Sequence, residues 1–191
     1  GQIVRADGPQ SHRPKAGTPT MGGLVMVASA AVCFVLWARP GNLLVWLGLL
    51  ALLWFGAVGA IDDLLKLRKQ HSRGLSVASK LLWQFIGAVL IAVAYLVLSP
   101  AGMEKAGLVS LPFLKHPVSI PLPLYVMTAA LVMVGTSNAV NLTDGLDGLA
   151  AGCVGMTAAG LSVVAYLAGN AKFSAYLHIP YVPEAGELAV A

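Results

Sequence analysis

Five stretches without a single Asp, Glu, Lys or Arg, at 22–38, 43–61, 81–98, 122–135 and 149–168, constrain this chain more than any other feature. Each is too uniformly apolar to be one face of an aqueous helix. A bilayer core takes about 20 such residues, range roughly 17 to 25, as one spanning helix. Helices are imposed because hydrocarbon offers the backbone no hydrogen-bond partners. Four stretches meet that length, and 122–135 meets it if its helix runs on through 136–140. Charged residues make up only 10% of the chain against about 25% in soluble domains, which leaves no room for a water-soluble domain between spans. The expected fold is all-α, a polytopic transmembrane helical bundle of about five spans forming one domain over 1–191, with no repeat of fixed period.

The basic residues orient these spans. With the amino-terminal segment cytoplasmic, alternate crossings place Arg5, Arg13, Lys15, Lys66, Arg68, Lys69, Arg73 and Lys80 inside, and Arg39, Lys105, Lys115 and Lys172 outside. Eight against four follows the positive-inside bias. The net charge of +4 therefore has a topological use, and nucleic acid is not an expected partner. Segments 1–21, 62–80 and 136–148 then share the cytoplasmic face, while outer loops 39–42, 99–120 and 169–187 read as connectors. Cys33 and Cys153 fall inside spans, where packed apolar thiols are expected and no disulfide. No secretory signal precedes the first span, since 1–20 is polar and basic. The chain opens on Gly1 and closes on Glu187-Leu-Ala-Val-Ala191, where another apolar run begins, so it reads as an internal piece of a longer protein.

Against this apolar background, Asn138-Ala-Val-Asn-Leu-Thr-Asp-Gly-Leu-Asp-Gly-Leu149 stands out. Ionisable groups at membrane depth cost roughly 2.5 to 3.5 kcal/mol each at a helix centre, so they call for a function. On a helix Asn141, Asp144 and Asp147, three apart, would fan over about 120° and could converge on one ligand. A helix N-cap before Leu149 needs only one acid, and the segment holds two acids, two Asn and two Gly in eleven residues. Oxygen-rich clusters suit Mg²⁺. Asn141-Leu-Thr143 also fits a glycosylation acceptor, which a cytoplasmic position disfavours.

Asp62-Asp63 ends the second apolar run, at the expected carboxyl end of a helix, where the macrodipole disfavours carboxylates. Their mutual repulsion is on the order of 4 kcal/mol at about 4 Å, enough to demand a cation or a shared proton. An exposed i,i+4 pair of Asp62 with Lys66 would account for Asp62 and not for Asp63. The two acidic clusters are expected to meet. Lys15-Ala-Gly-Thr-Pro-Thr-Met-Gly-Gly23 suits an anionic phosphate before a helix, or is simply a Gly/Pro-punctuated lead-in; it is no Walker loop. Lys66, Arg68, Lys69, Arg73 and Lys80 serve topology and anionic lipid headgroups, and some could hold a diphosphate. His12, His71, His116 and His178 are isolated loop residues without metal-ligand spacing, and the four Trp fit belts and packing.

Taken with Gly8-Pro-Gln-Ser-His12 and Asp62-Asp63-Leu-Leu-Lys66, these motifs resemble the polyprenyl-phosphate N-acetylhexosamine-1-phosphate transferase family, in its phospho-N-acetylmuramoyl-pentapeptide transferase (MraY) branch, over essentially the whole chain. The Thr-Pro-Thr-Met-Gly-Gly form resembles that branch more than the GlcNAc-1-phosphate branch. The resemblance implies Mg²⁺-dependent transfer of phospho-MurNAc-pentapeptide from UDP-MurNAc-pentapeptide to undecaprenyl phosphate, giving lipid I and UMP for peptidoglycan synthesis. It further implies a bundle of ten or so helices in the bacterial cytoplasmic (inner) membrane, usually homodimeric, of which this chain covers the second to the sixth. By resemblance Asp62, Asp63 and Asp144 are catalytic, and Asp144 and Asp147 bind metal. Lys15, Thr20, Lys80, Asn138, Asn141 and Asp147 contact substrate. A further metal-associated aspartate and a His-rich loop of the family are not in this sequence, so the chain alone is expected to be inactive. The rival classes are a sister UDP-GlcNAc transferase, a cation-coupled transporter and a purely structural subunit. A transporter would be expected to carry more polar groups inside its spans.

Overall fold

The computed structural model describes residues 22–69, 74–99, 107–111, 114, 116–144 and 148–190. The fold is all-α, with helices α1 (Gly22–Trp37), α2 (Leu43–Lys69), α3 (Val77–Leu98), α4 (Leu122–Thr143), α5 (Leu149–Gly169) and α6 (Ala171–Leu177). A 3₁₀ turn (Ala185–Ala189) follows. A two-stranded antiparallel hairpin, β1 (Leu108–Val109) with β2 (Val118–Ser119), lies in the loop between α3 and α4.

Each expected apolar stretch is a helix, and α2 to α5 are long and apolar enough to cross a membrane. The chain is a multi-pass membrane protein. The fourth stretch does extend past 135, reaching Thr143 and 22 residues. By contrast α1 has 16 residues, about 24 Å at 1.5 Å per residue, short of the roughly 30 Å hydrocarbon core. Hydroxyls inside the spans satisfy themselves locally: Thr128, Thr143, Thr157 and Ser162 each donate to the carbonyl four residues earlier at 2.8 Å.

Packing follows chain order, α1 on α2, α2 on α3 and α3 on α4, and small residues permit the close approaches. Gly87 receives the indole of Trp54, whose Nε1 donates to the Trp83 carbonyl at 2.9 Å; a Cβ at position 87 would fall onto that indole. Ala88 and Ala130 are fully buried on α3 and α4. The stacked rings of Tyr95 and Tyr125, 6.4 Å apart, join the outer ends of the same two helices.

Two of the loops expected to lie outside, 39–42 and 169–187, are more than connectors. The 3₁₀ turn packs on both α5 and α2, which closes the helices into a ring. Asn42, 1% exposed, ties this closure: its Nδ2 donates to the Glu184 carbonyl and its Oδ1 accepts from the Leu44 amide, both at 2.8 Å. The Arg39 amide adds a hydrogen bond to Glu187 Oε2. Gly169 lies so near Gly186 that any side chain would strike its backbone. Cys33 and Cys153 are free, as expected, but both are exposed on their helices rather than packed.

Candidate active site

Asp62 and Asp63 do not end their helix. α2 continues through Lys69, about two turns further, and that extension delivers Lys66 to both acids. Its Nζ stands 2.7 Å from Asp62 Oδ2 and 3.0 Å from Asp63 Oδ1, so the cation demanded by their repulsion is supplied from the same helix. The pairing with Asp62 is present, with the carboxylate buried and the lysine partly exposed, and Lys66 accounts for Asp63 as well.

The two carboxylates differ sharply in environment. The Asp62 side chain is only 11% exposed, and its Oδ1 accepts from the Leu75 amide at 2.8 Å, across the connection to α3. Gly74 makes this possible, because a Cβ there would collide with that same oxygen. Lys80, in the first turn of α3 behind the Ser76 cap, acts on Asp62 electrostatically. Asp62 thus fastens α2 to the start of α3. Asp63 is 51% exposed at its side chain and borders a cleft of about 210 Å³ between α1 and α2, lined by Gly23, Val27, Gly56 and Gly59. It is the acid with an oxygen left to meet a ligand.

A second polar cluster joins α3 to α4. Asn138 Nδ2 donates to Gln84 Oε1 and to the Val134 carbonyl, both at 2.8 Å, and Gln84 Nε2 donates to Ser137 Oγ at 3.3 Å. Gln84 is 3% exposed. Sequence reasoning passed over Gln84, Ser137 and Gly74; a lone glutamine in an uninterrupted apolar span was the available signal for the first of them.

Beyond Asn138, α4 carries Asn141 in its last turn and ends at Asp144, both exposed and without a side-chain partner among the described residues. Of the expected fan, Asn141 lies on α4 and Asp144 caps its end, while Asp147 lies outside the described residues. Asp144 is the C-cap of α4, at φ −77° and ψ 50°, and Gly148, at φ 81°, directly precedes α5. Gly148 holds the N-cap position of α5 with no side-chain cap bond, so Asp144 closes α4 and does not open α5. Its left-handed backbone requires glycine.

Lys15, Thr20 and Asp147 lie outside the described residues, as do His12 and His71. Among the described residues no three His, Cys, Asp or Glu side chains converge on one point, and α3 stands between α2 and α4. The acidic clusters therefore do not touch directly there. What links them is the inner end of α3, where Lys80 and Gln84 are one turn apart.

Comparison with known proteins adds two family matches and one relative. Residues 44–182 match the model of glycosyl transferase family 4, and residues 15–27 match the phospho-N-acetylmuramoyl-pentapeptide-transferase signature 1. A phospho-N-acetylmuramoyl-pentapeptide-transferase of Desulfotalea psychrophila (strain LSv54 / DSM 12343) is 50% identical over 190 residues, covering 100% of this chain and 52% of that protein. The chain thus spans about half the length of this curated relative.

Proposed function

The chain belongs to glycosyl transferase family 4, and from that premise we propose that it forms about half of a membrane transferase making lipid I and UMP from UDP-MurNAc-pentapeptide and undecaprenyl phosphate, for peptidoglycan synthesis. The observation that carries this reading is the 50% identity, along the whole chain, to a protein of that activity's name. The signature over 15–27 favours the muramoyl donor over UDP-GlcNAc.

In the proposed reaction an oxygen of the lipid phosphate attacks the sugar-linked phosphorus of the donor. A new P–O bond forms, the bond to the uridylyl oxygen breaks, and UMP leaves with the electron pair. Little covalent work is needed from the protein, which has to position like-charged phosphates and offset charge. Asp63, with a free oxygen beside the cleft between α1 and α2, is assigned to position the lipid phosphate or take its proton. Asp62 holds the start of α3, and Lys66 screens both acids. Lys15, Thr20 and Lys80 are assigned to donor phosphates, and Asn138, Asn141 and Asp147 to the uridine and sugar side.

Asp144 and Asp147 would hold Mg²⁺. The donors on offer are oxygens alone, and Asp144 is exposed without a partner among the described residues, which fits a hard cation that keeps several waters. When bound, the metal would neutralise charge on the diphosphate. The reading further places the protein in the bacterial inner membrane with its site cytoplasmic, as a homodimer, and holds this chain inactive by itself.

The test is Mg²⁺-dependent UMP release by the full-length transferase in detergent, with undecaprenyl phosphate and either UDP-MurNAc-pentapeptide or UDP-GlcNAc. Release with the muramoyl donor alone is expected. Release with UDP-GlcNAc alone would move the protein to the sister branch.

A further inference from the structure

The polar cluster between α3 and α4 has a direction, and a backbone carbonyl sets it. Val134 O only accepts, so the Asn138 atom 2.8 Å away must be its nitrogen. That nitrogen's second hydrogen goes to Gln84, which must present Oε1 to receive it, leaving Gln84 Nε2 for Ser137 Oγ. At 3% exposure Gln84 has no water to turn towards, and reversing it would set its Nε2 against Asn138 Nδ2, donor to donor, and break that hydrogen bond, although the Ser137 hydroxyl could donate to Oε1 instead. Both amide hydrogens of Asn138 are thereby committed. Among the described residues nothing donates to its Oδ1, and no buried side-chain polar atom there is left unsatisfied, so this half-buried side chain keeps its oxygen open.

We propose that Gln84 is a positioning residue that fixes Asn138 with its carbonyl oxygen outward, making Asn138 an acceptor-only contact for an N–H or O–H group on the uridine or sugar part of the nucleotide donor. A phosphate oxygen is itself an acceptor and is refused at this position. The ligand's identity rests on the transferase reading; the polarity of the cluster does not. Asn138 is one turn from Asn141 along α4, so its oxygen faces the base-and-sugar side of the donor rather than adding to the lysines that meet phosphate.

The experiment uses the full-length transferase in detergent, with Gln84→Met, Gln84→Glu, Asn138→Ala and the Gln84→Met/Asn138→Ala double variant. UDP affinity is read by calorimetry, and KM and kcat by UMP release. Gln84→Met is expected to weaken UDP and raise the donor KM about tenfold, with the KM for undecaprenyl phosphate unchanged. The double variant should be no worse than Asn138→Ala, because Gln84 acts through Asn138. Gln84→Glu, whose carboxylate can accept from both Asn138 and the Ser137 hydroxyl, should stay within about threefold of wild type. Ser137→Ala removes only the second tether and should weaken UDP in the same direction, which serves if Gln84→Met does not fold.

Unchanged UDP affinity in Gln84→Met, losses that multiply in the double variant, or an equal fall in affinity for both substrates would overturn the proposal. Wild-type protein that binds UDP yet releases UMP from neither donor would overturn the transferase reading alone. Wild-type protein that does not bind UDP would overturn the inference itself.

Discussion

The acidic pair shows how far two neighbouring residues of one type can part company. Asp62 has both oxygens engaged, by Lys66 and by the Leu75 amide, whereas Asp63 shares one oxygen with Lys66 and is half exposed. Asp62→Ala should therefore lower thermal stability in detergent by about 1–3 kcal/mol as well as activity, since it strands a buried amide and loosens α3. Asp63→Asn and Asp144→Asn should leave the melting temperature nearly unchanged while reducing kcat by about two orders of magnitude or more, as expected for groups that act on the transition state. Loss of stability in Asp63→Asn equal to that in Asp62→Ala would contradict this division. The sequence did reveal that the pair needed a cation or a shared proton, because repulsion between adjacent carboxylates is a local matter, and Lys66 is the cation. It could not reveal that Asp62 reaches an amide 13 residues on, which depends on how the connection folds and on the absence of a Cβ at Gly74.

At the scale of elements, hydropathy located all five long helices, because a bilayer permits so few alternatives. It was weaker at their inner ends, where polar residues continue a helix as readily as they leave it: α2 runs on to Lys69 and α4 to Thr143. Spacing by three has meaning only while the helix lasts, and α4 gives way at Asp144, after the first of the three residues. Helix pairing was not legible either. Gly87 gave no sign in sequence that it seats Trp54, yet Gly87→Ala should force the indole out and cost about 1–3 kcal/mol, together with a shift in tryptophan emission. An unshifted spectrum and melting curve would mean that α2 and α3 do not meet through this glycine.

At the scale of the whole molecule, α5 has no buried residue, and its only extensive partner among the described residues is the 3₁₀ turn that follows α6. A helix so bare in a chain half the length of its relative fits a protein whose remaining mass packs against it, and the 191-residue chain alone is expected to form no lipid I in the UMP-release assay. The closure at Asn42 lies at the end of α2 opposite to Asp62 and Asp63. Asn42→Ala should lower the unfolding temperature, by the equivalent of about 1–3 kcal/mol for a buried pair of hydrogen bonds, without altering the donor KM. A consequence of another kind follows from Cys33 and Cys153, which stand exposed on apolar helix faces. Charged, water-borne maleimides do not enter hydrocarbon, so both native cysteines should stay silent to such reagents. Reporter cysteines at Val77 or Leu142 could then be labelled from water in the otherwise unaltered protein.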